Sequence, residues 1–188
     1  MERFRLFFII ALGEVVLTMG TAFSDEAFNI ERLLALGIAF TGTVAVFWCY
    51  FRRAEALSAE AAETAEGVGA VGYWGSWTLI LIVLALIAIA VSDESAIAHP
   101  GDDATLGFTI LTFGGPAMFL LAQTIFLREA LGSVPLSRLL ALGALAILGV
   151  ATTPLTLIVG IAASSAVLVA VAVADTVGEA APTPAASI

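Results

Sequence analysis

Lysine is absent from the 188 residues, and cysteine and histidine occur once each. A single cysteine, Cys49, allows no disulfide framework and no thiolate metal cage. Lying inside an apolar run, it reads as a small packing residue. The seven basic residues are all arginine, scattered singly or in one pair, so there is no basic patch for nucleic acid. Charged residues make up only 12% of the chain. An ordinary soluble domain carries about twice that share, so a soluble globular surface is excluded. Also missing are a Walker-type phosphate loop, HExxH, GxSxG and any nucleophile–base pair. No enzyme activity and no cofactor are expected.

What the chain has in quantity is apolar surface. Hydrophobic residues make up 61% and the mean hydropathy is +1.08. Long apolar runs at that level are membrane spans. The runs predict an all-α integral membrane protein with one six-span domain over residues 1–175, surrounded by the lipid bilayer. The spans cover about 4–23, 32–51, 73–91, 105–127, 138–152 and 155–174. Span 1 has the outline of a signal peptide, with Arg3 and Arg5 ahead of it and Gly20-Thr21-Ala22 after it. Glu14 inside the run argues against cleavage. Residues 54–67 are Ala-rich, and Glu55, Glu60, Glu63 and Glu66 fall within one arc of about 140° at 100° per residue, which predicts an acidic amphipathic helix on the cytoplasmic side. Tyr73, Trp74 and Trp77 open span 3, where an interfacial aromatic belt belongs. The Ser92–Ala104 stretch reads as a loop holding Asp93, Glu94, His99, Asp102 and Asp103. His99 with its neighbouring acids is a weak metal signal; a Pro-Gly turn with solvated acids accounts for it, and no metal is expected. The tail 176–188, with Pro182 and Pro184, reads as disordered.

Six spans place Arg3, Arg5, Arg52, Arg53, Arg128 and Arg138 on one side of the membrane and only Arg32 on the other. By the positive-inside rule both termini are cytoplasmic, in the bacterial cytoplasmic membrane.

The candidate chemistry centres on span 1. Arg3, Phe7, Ile10, Glu14, Thr18, Thr21 and Asp25 fall on one helical stripe, which predicts that this stripe faces protein or water rather than lipid. A carboxylate at bilayer depth costs about 2.5–3.5 kcal/mol on insertion scales, so Glu14 needs a reason to be there. Arg3 cannot neutralise it, being about 16 Å away along the helix. At the same depth lie Thr41-Gly42-Thr43 in span 2, Gly114-Gly115-Pro116 in span 4 and Ser164-Ser165 in span 6. Pro116 is expected to kink or break its helix and to free backbone carbonyls, as in many transporters. Glu14, Thr18, Thr43, Gly114, Gly115 and Ser164 are thus candidates for binding a proton or small cation. The competing account makes the glycines and hydroxyls packing residues and Glu14 an inter-helix hydrogen bond. Ala162, Ala166, Ala170 and Ala174 add a small-residue stripe on span 6, suited to close helix packing.

Glu2-Arg3-Phe4, Leu6-Phe7, Ile9-Ile10 and Leu12-Gly13-Glu14 resemble the "ERFxLFxIIxLGE" signature of the bacterial low temperature requirement protein A family. Tyr50-Phe51, Gly115-Pro116 with Phe119-Leu120-Leu121, and Arg138-Leu139 are similar to that family's C-terminal half. The matching motif positions are Glu2, Arg3, Phe4, Gly13 and Glu14. The resemblance implies a multi-pass bacterial membrane protein named for growth at low temperature. It also implies a further membrane half ahead of this motif, with an acidic "ELFFD" stretch. A His near the start of the third span is implied as well, where this sequence has Trp74-Gly75-Ser76-Trp77.

Two functional expectations follow. One is transport or sensing of a proton or small cation through Glu14, with Glu14→Gln abolishing activity but not insertion. The other is a structural or regulatory subunit without transport, paired with itself as a homo-oligomer or with a separate N-terminal-half partner, and sensitive to Ala166→Leu.

Overall fold

A computed structural model describes residues 2–25, 27–61, 68–131, 135–152 and 155–180. They form six helices: α1 (Glu2–Ser24), α2 (Ile30–Ala61), α3 (Val68–Ala98), α4 (Leu106–Leu131), α5 (Leu136–Thr152) and α6 (Leu157–Ala180). Five contain a segment long and apolar enough to cross a membrane. The sixth, α5, has 17 residues and a length of about 25 Å.

The helix boundaries depart from the hydropathy boundaries, because a helix ends where its backbone loses partners and not where its side chains become polar. Helix α2 continues unbroken through Arg52 and Arg53 to Ala61. The acidic segment expected as a separate helix over 54–67 is therefore, as far as Ala61, the extension of span 2; its remainder lies outside the described residues. At its far end α3 runs on through Ser92, Asp93 and Glu94 to Ala98. The stretch expected to open the outer loop is thus, as far as Ala98, about two further turns of helix. Likewise α6 extends past Ala174 to Ala180, into the segment expected as a tail, and residues 181–188 are outside the described set.

Capping is local and conventional. The Asn29 side-chain carbonyl accepts the Glu31 backbone N–H at 3.1 Å at the start of α2, and Thr105 Oγ1 accepts the Phe108 N–H at 3.2 Å at the start of α4. At the opposite ends of α1 and α3 the free carbonyls find a cation. Arg32, almost wholly buried, donates from Nε to the Ile97 carbonyl, from Nη1 to that of Ala27 and from Nη2 to that of Ala22. The C-terminal end of a helix is the negative end of its dipole, so a guanidinium there joins two helix ends. Arg32, the one arginine expected on the outer side, is therefore occupied within the fold. On the same side the α3–α4 and α5–α6 connections pair: Ala104 N–H donates to the Leu155 carbonyl, and Leu157 N–H to that of Asp102. This places the far end of α5 level with the ends of α3 and α4.

Helices α3 and α6 are central, α3 packing on α1, α2, α4 and α6, and α6 on α2, α3, α4 and α5. Helices α1 and α5 are peripheral, α1 packing on α2 and α3 alone among the substantial contacts. Close approach is bought with glycine: a Cβ on Gly115 would stand 3.2 Å from the Ala85 carbonyl oxygen and 3.0 Å from Ile89. Side chains too large for such crossings face outward, with Ile10, Ile110, Ile147 and Val150 all more than half exposed, as lipid-facing residues are.

Candidate functional site

The span 1 stripe lies on the outer face of the bundle. Phe7, Ile10, Glu14, Thr21 and Asp25 are exposed and Thr18 is half-buried, its hydroxyl donating to the Glu14 backbone carbonyl. The face that α1 turns inward is Phe8, Val15, Met19 and Ala22. The Glu14 stripe, expected to face protein or water, is therefore not turned into the interior of this chain. Helicity put those residues on one line, but the larger apolar stripe beside it took the interior. Gly13 is also exposed; the side chains of Glu2, Arg3 and Phe4 lie outside the described set.

The polar residues of the other helices do converge. A small cavity between α2, α3, α4 and α6 is lined by Gly42, Ser92, Asp93, Thr112, Pro116, Ser164 and Ser165, closed by Ile89, Ile161 and Leu168. About 10 Å³ of it is open to the centre of a water molecule, enough for a single water or ion of that size. Each helix contributes for a reason. Pro116 has no N–H to give to the Thr112 carbonyl four residues earlier, yet α4 continues through it unbroken. The freed carbonyl accepts a hydrogen bond from Ser164 Oγ of α6, at 2.9 Å. The expected break is absent because a hydroxyl on the neighbouring helix replaces the lost partner. Gly42 lets α2 approach α6 so closely that a Cβ there would stand 2.6 Å from Ser165 Oγ.

Asp93 is the one charged residue in the lining and is 5% exposed. No arginine faces the cavity, and among the described residues nothing donates a hydrogen bond to its carboxylate. The Thr112 hydroxyl, of the same lining, is buried and likewise without a partner among the described residues. A carboxylate and a spare hydroxyl in an enclosed space of one-water size can hold one small cation or exchange one proton. Of the other sequence candidates, Thr43 is buried but turned to Met19 Sδ, at 4.0 Å. Gly114 is exposed, and Gly115 serves the α3–α4 crossing. Only Ser164 and Pro116 reach the cavity. Asp93 carried a readable signal: Ile82, Leu86, Ile89, Asp93 and Ile97 recur at helical spacing, and all are buried.

Ser164→Ala should leave the Thr112 carbonyl buried without a partner and lower stability by about 1–3 kcal/mol. Thermal unfolding in detergent measures this, and Ser164→Thr, which keeps the hydroxyl, should lose less.

A model of the bacterial low temperature requirement A protein family (LtrA) matches residues 1–174. An uncharacterized protein of Rhizobium meliloti (strain 1021) is 29% identical over 129 residues, 68% of this chain and 31% of the relative. The chain thus spans about a third of the length of the curated relative it matches. No solved structure matches it. With the family matched over nearly the whole chain and five long apolar helices in the fold, this is a multi-pass bacterial membrane protein that belongs to the LtrA family.

Proposed function

We propose that the chain transports or senses a proton or small cation in the bacterial cytoplasmic membrane, with both termini cytoplasmic and Asp93 as the ion-binding carboxylate. The observation that carries this reading is a buried carboxylate, without a basic neighbour, in a polar cavity among four helices. An acid inside a membrane bundle is expensive, and such residues mark ion and proton paths. Ser164 and Ser165 supply oxygen ligands from α6 and Thr112 from α4, the helix that carries a mid-span proline. The role is non-enzymatic and needs no cofactor.

The test is flux through the purified full chain in proteoliposomes, followed with pH- and potential-sensitive dyes under imposed H⁺, Na⁺ and K⁺ gradients. Flux above protein-free vesicles under one gradient names the ion. Absence of flux under all three transfers the weight to a second reading, a structural or regulatory subunit without transport. The outer face of α1 favours that alternative: 22% of this span is buried, against 39–61% for the other four long spans.

A further inference from the structure

The two ends of the bundle are finished differently. Where α4 and α6 begin, the Ala104–Leu155 and Leu157–Asp102 backbone hydrogen bonds join two connections, and Arg32 donates to three carbonyls. At the opposite end, where α4 and α6 finish and α5 starts, polar groups are buried without such closure. Gln123 Oε1 and Nε2 and Arg138 Nε and Nη1 have no hydrogen-bond partner among the described residues. Both side chains are more than nine-tenths buried.

Helix register brings these two residues to one level. Helices α4 and α6 run in the same direction, since the chain enters both from the paired connections, and α5 runs against them. Ser164 of α6 donates to the Thr112 carbonyl of α4 at 2.9 Å. Eleven residues further along each helix, a step that returns to nearly the same azimuth, stand Asp175 and Gln123. On α5, Gly149 lies against Phe113, where a Cβ would be 3.4 Å from the ring. Eleven residues from that contact, back along α5 and forward along α4, are Arg138 and Thr124, the neighbour of Gln123. Two separate contacts thus set Gln123 level with the Arg138–Asp175 pair, about 16 Å along the helices from Thr112 and Ser164 in the Asp93 cavity. Between the two levels lie Phe119, Leu120, Leu145, Leu168 and Val171, all buried.

An unpartnered buried amide and guanidinium raise the free energy of the packed arrangement, and water reaching them lowers it. Parting of the α4, α5 and α6 ends admits that water, and frees Arg138 to donate to Gln123 Oε1 in place of Asp175. The opposite end gains nothing comparable, because Arg32 and the two connections are already hydrogen-bonded. An enclosed site with one end poised to open is one half of an alternating-access cycle.

We infer that Gln123, Arg138 and Asp175 form a gate, packed shut in this structure, which opens to join the Asp93 cavity to the side of the membrane on which α6 ends. The inference rests on the reading of Asp93 as the ion-binding carboxylate.

The experiment is labelling of Val171→Cys in the full chain carrying Cys49→Ala, by a membrane-impermeant maleimide applied to right-side-out or inverted membrane vesicles. A C-terminal tag reports which side is which. The reagent should react from the side on which α6 ends and not from the other. Gln123→Leu, which removes the unpartnered amide from the shut state, should slow the reaction about 5- to 100-fold without lowering Tm. Arg138→Met with Asp175→Leu should slow it likewise, since an apolar pair gains nothing from water. Reaction from the opposite side, or at the wild-type rate in either variant, overturns the gate. So does a fall in Tm in Gln123→Leu, which would give the amide a structural role. Ion flux, measured on the purified chain, separates this inference from the reading beneath it. One-sided labelling slowed by both variants, in a wild type that carries no ion, removes transport and leaves the gate as that of a sensor. Flux in a wild type whose Val171→Cys is unreactive from either side removes the gate and leaves transport.

Discussion

Asp93→Asn should reduce ion flux in proteoliposomes to that of protein-free vesicles, while Glu14→Gln leaves it in place. Asparagine keeps the size of the side chain in a cavity with room for one water, so packing is preserved. It can neither accept a proton at any accessible pH nor balance a cation. The cavity lining has no second acid to take over. Glu14 is exposed, on a different face of α1 from the interior-facing Phe8, Val15 and Met19, and it does not line the cavity. Equal insertion and equal vesicle incorporation, checked by quantitative immunoblot, make the two variants comparable. Wild-type flux in Asp93→Asn would remove Asp93 from the mechanism. Loss in Glu14→Gln with retention in Asp93→Asn would return the role to the span 1 carboxylate.

Asp175→Asn should be the most destabilising single change outside the cavity. Arg138 of α5 is fully buried, and its Nη2 donates to the Asp175 carboxylate of α6. Its Nε and Nη1 have no partner among the described residues. Among the described residues the carboxylate is thus the one counter-charge of a guanidinium taken out of water. Removing one member of such a pair costs about 3–5 kcal/mol, because the remaining charge stays buried and uncompensated. For a chain of this size that corresponds to a fall of roughly 6–20 °C in Tm, read by thermal unfolding in detergent. Replacing both, as in Arg138→Met with Asp175→Leu, should recover most of the loss, since a well-packed apolar pair carries no desolvation penalty. If Asp175→Asn unfolds within about 0.5 kcal/mol of wild type, the pair has no role in holding α5 to α6.

The contrast between Glu14 and Asp93 explains how far the sequence could be read. Glu14 was conspicuous because it interrupts a run of apolar residues, and hydropathy registers interruptions. Asp93 was hidden because Ser92, Asp93, Glu94 and Ser95 come together, and four polar residues in a row resemble the start of a loop. In the fold those four continue α3, where successive residues are about 100° apart around the axis. Asp93 therefore points into the bundle while Glu94 points out of it. Gly42, Pro116 and Ser164-Ser165 were placed at one depth by counting along their spans, and they do meet. Thr43 and Gly114, one position away from cavity residues or near them, turn elsewhere.

By itself the sequence determined the family, the all-helical class and six apolar segments, five of which form helices long enough to cross a membrane, because each of these is a property of composition or of a motif along the chain. The burial of a carboxylate depends on which face each helix turns to its neighbours. That is decided by packing: the line of Phe8, Val15 and Met19 buries more apolar area than the Glu14 line, and the glycines at 42 and 115 set how closely the helices meet. Only the tertiary structure could bring Asp93, Thr112 and Ser164 to one cavity, because they come from three helices whose rotations no single helix specifies.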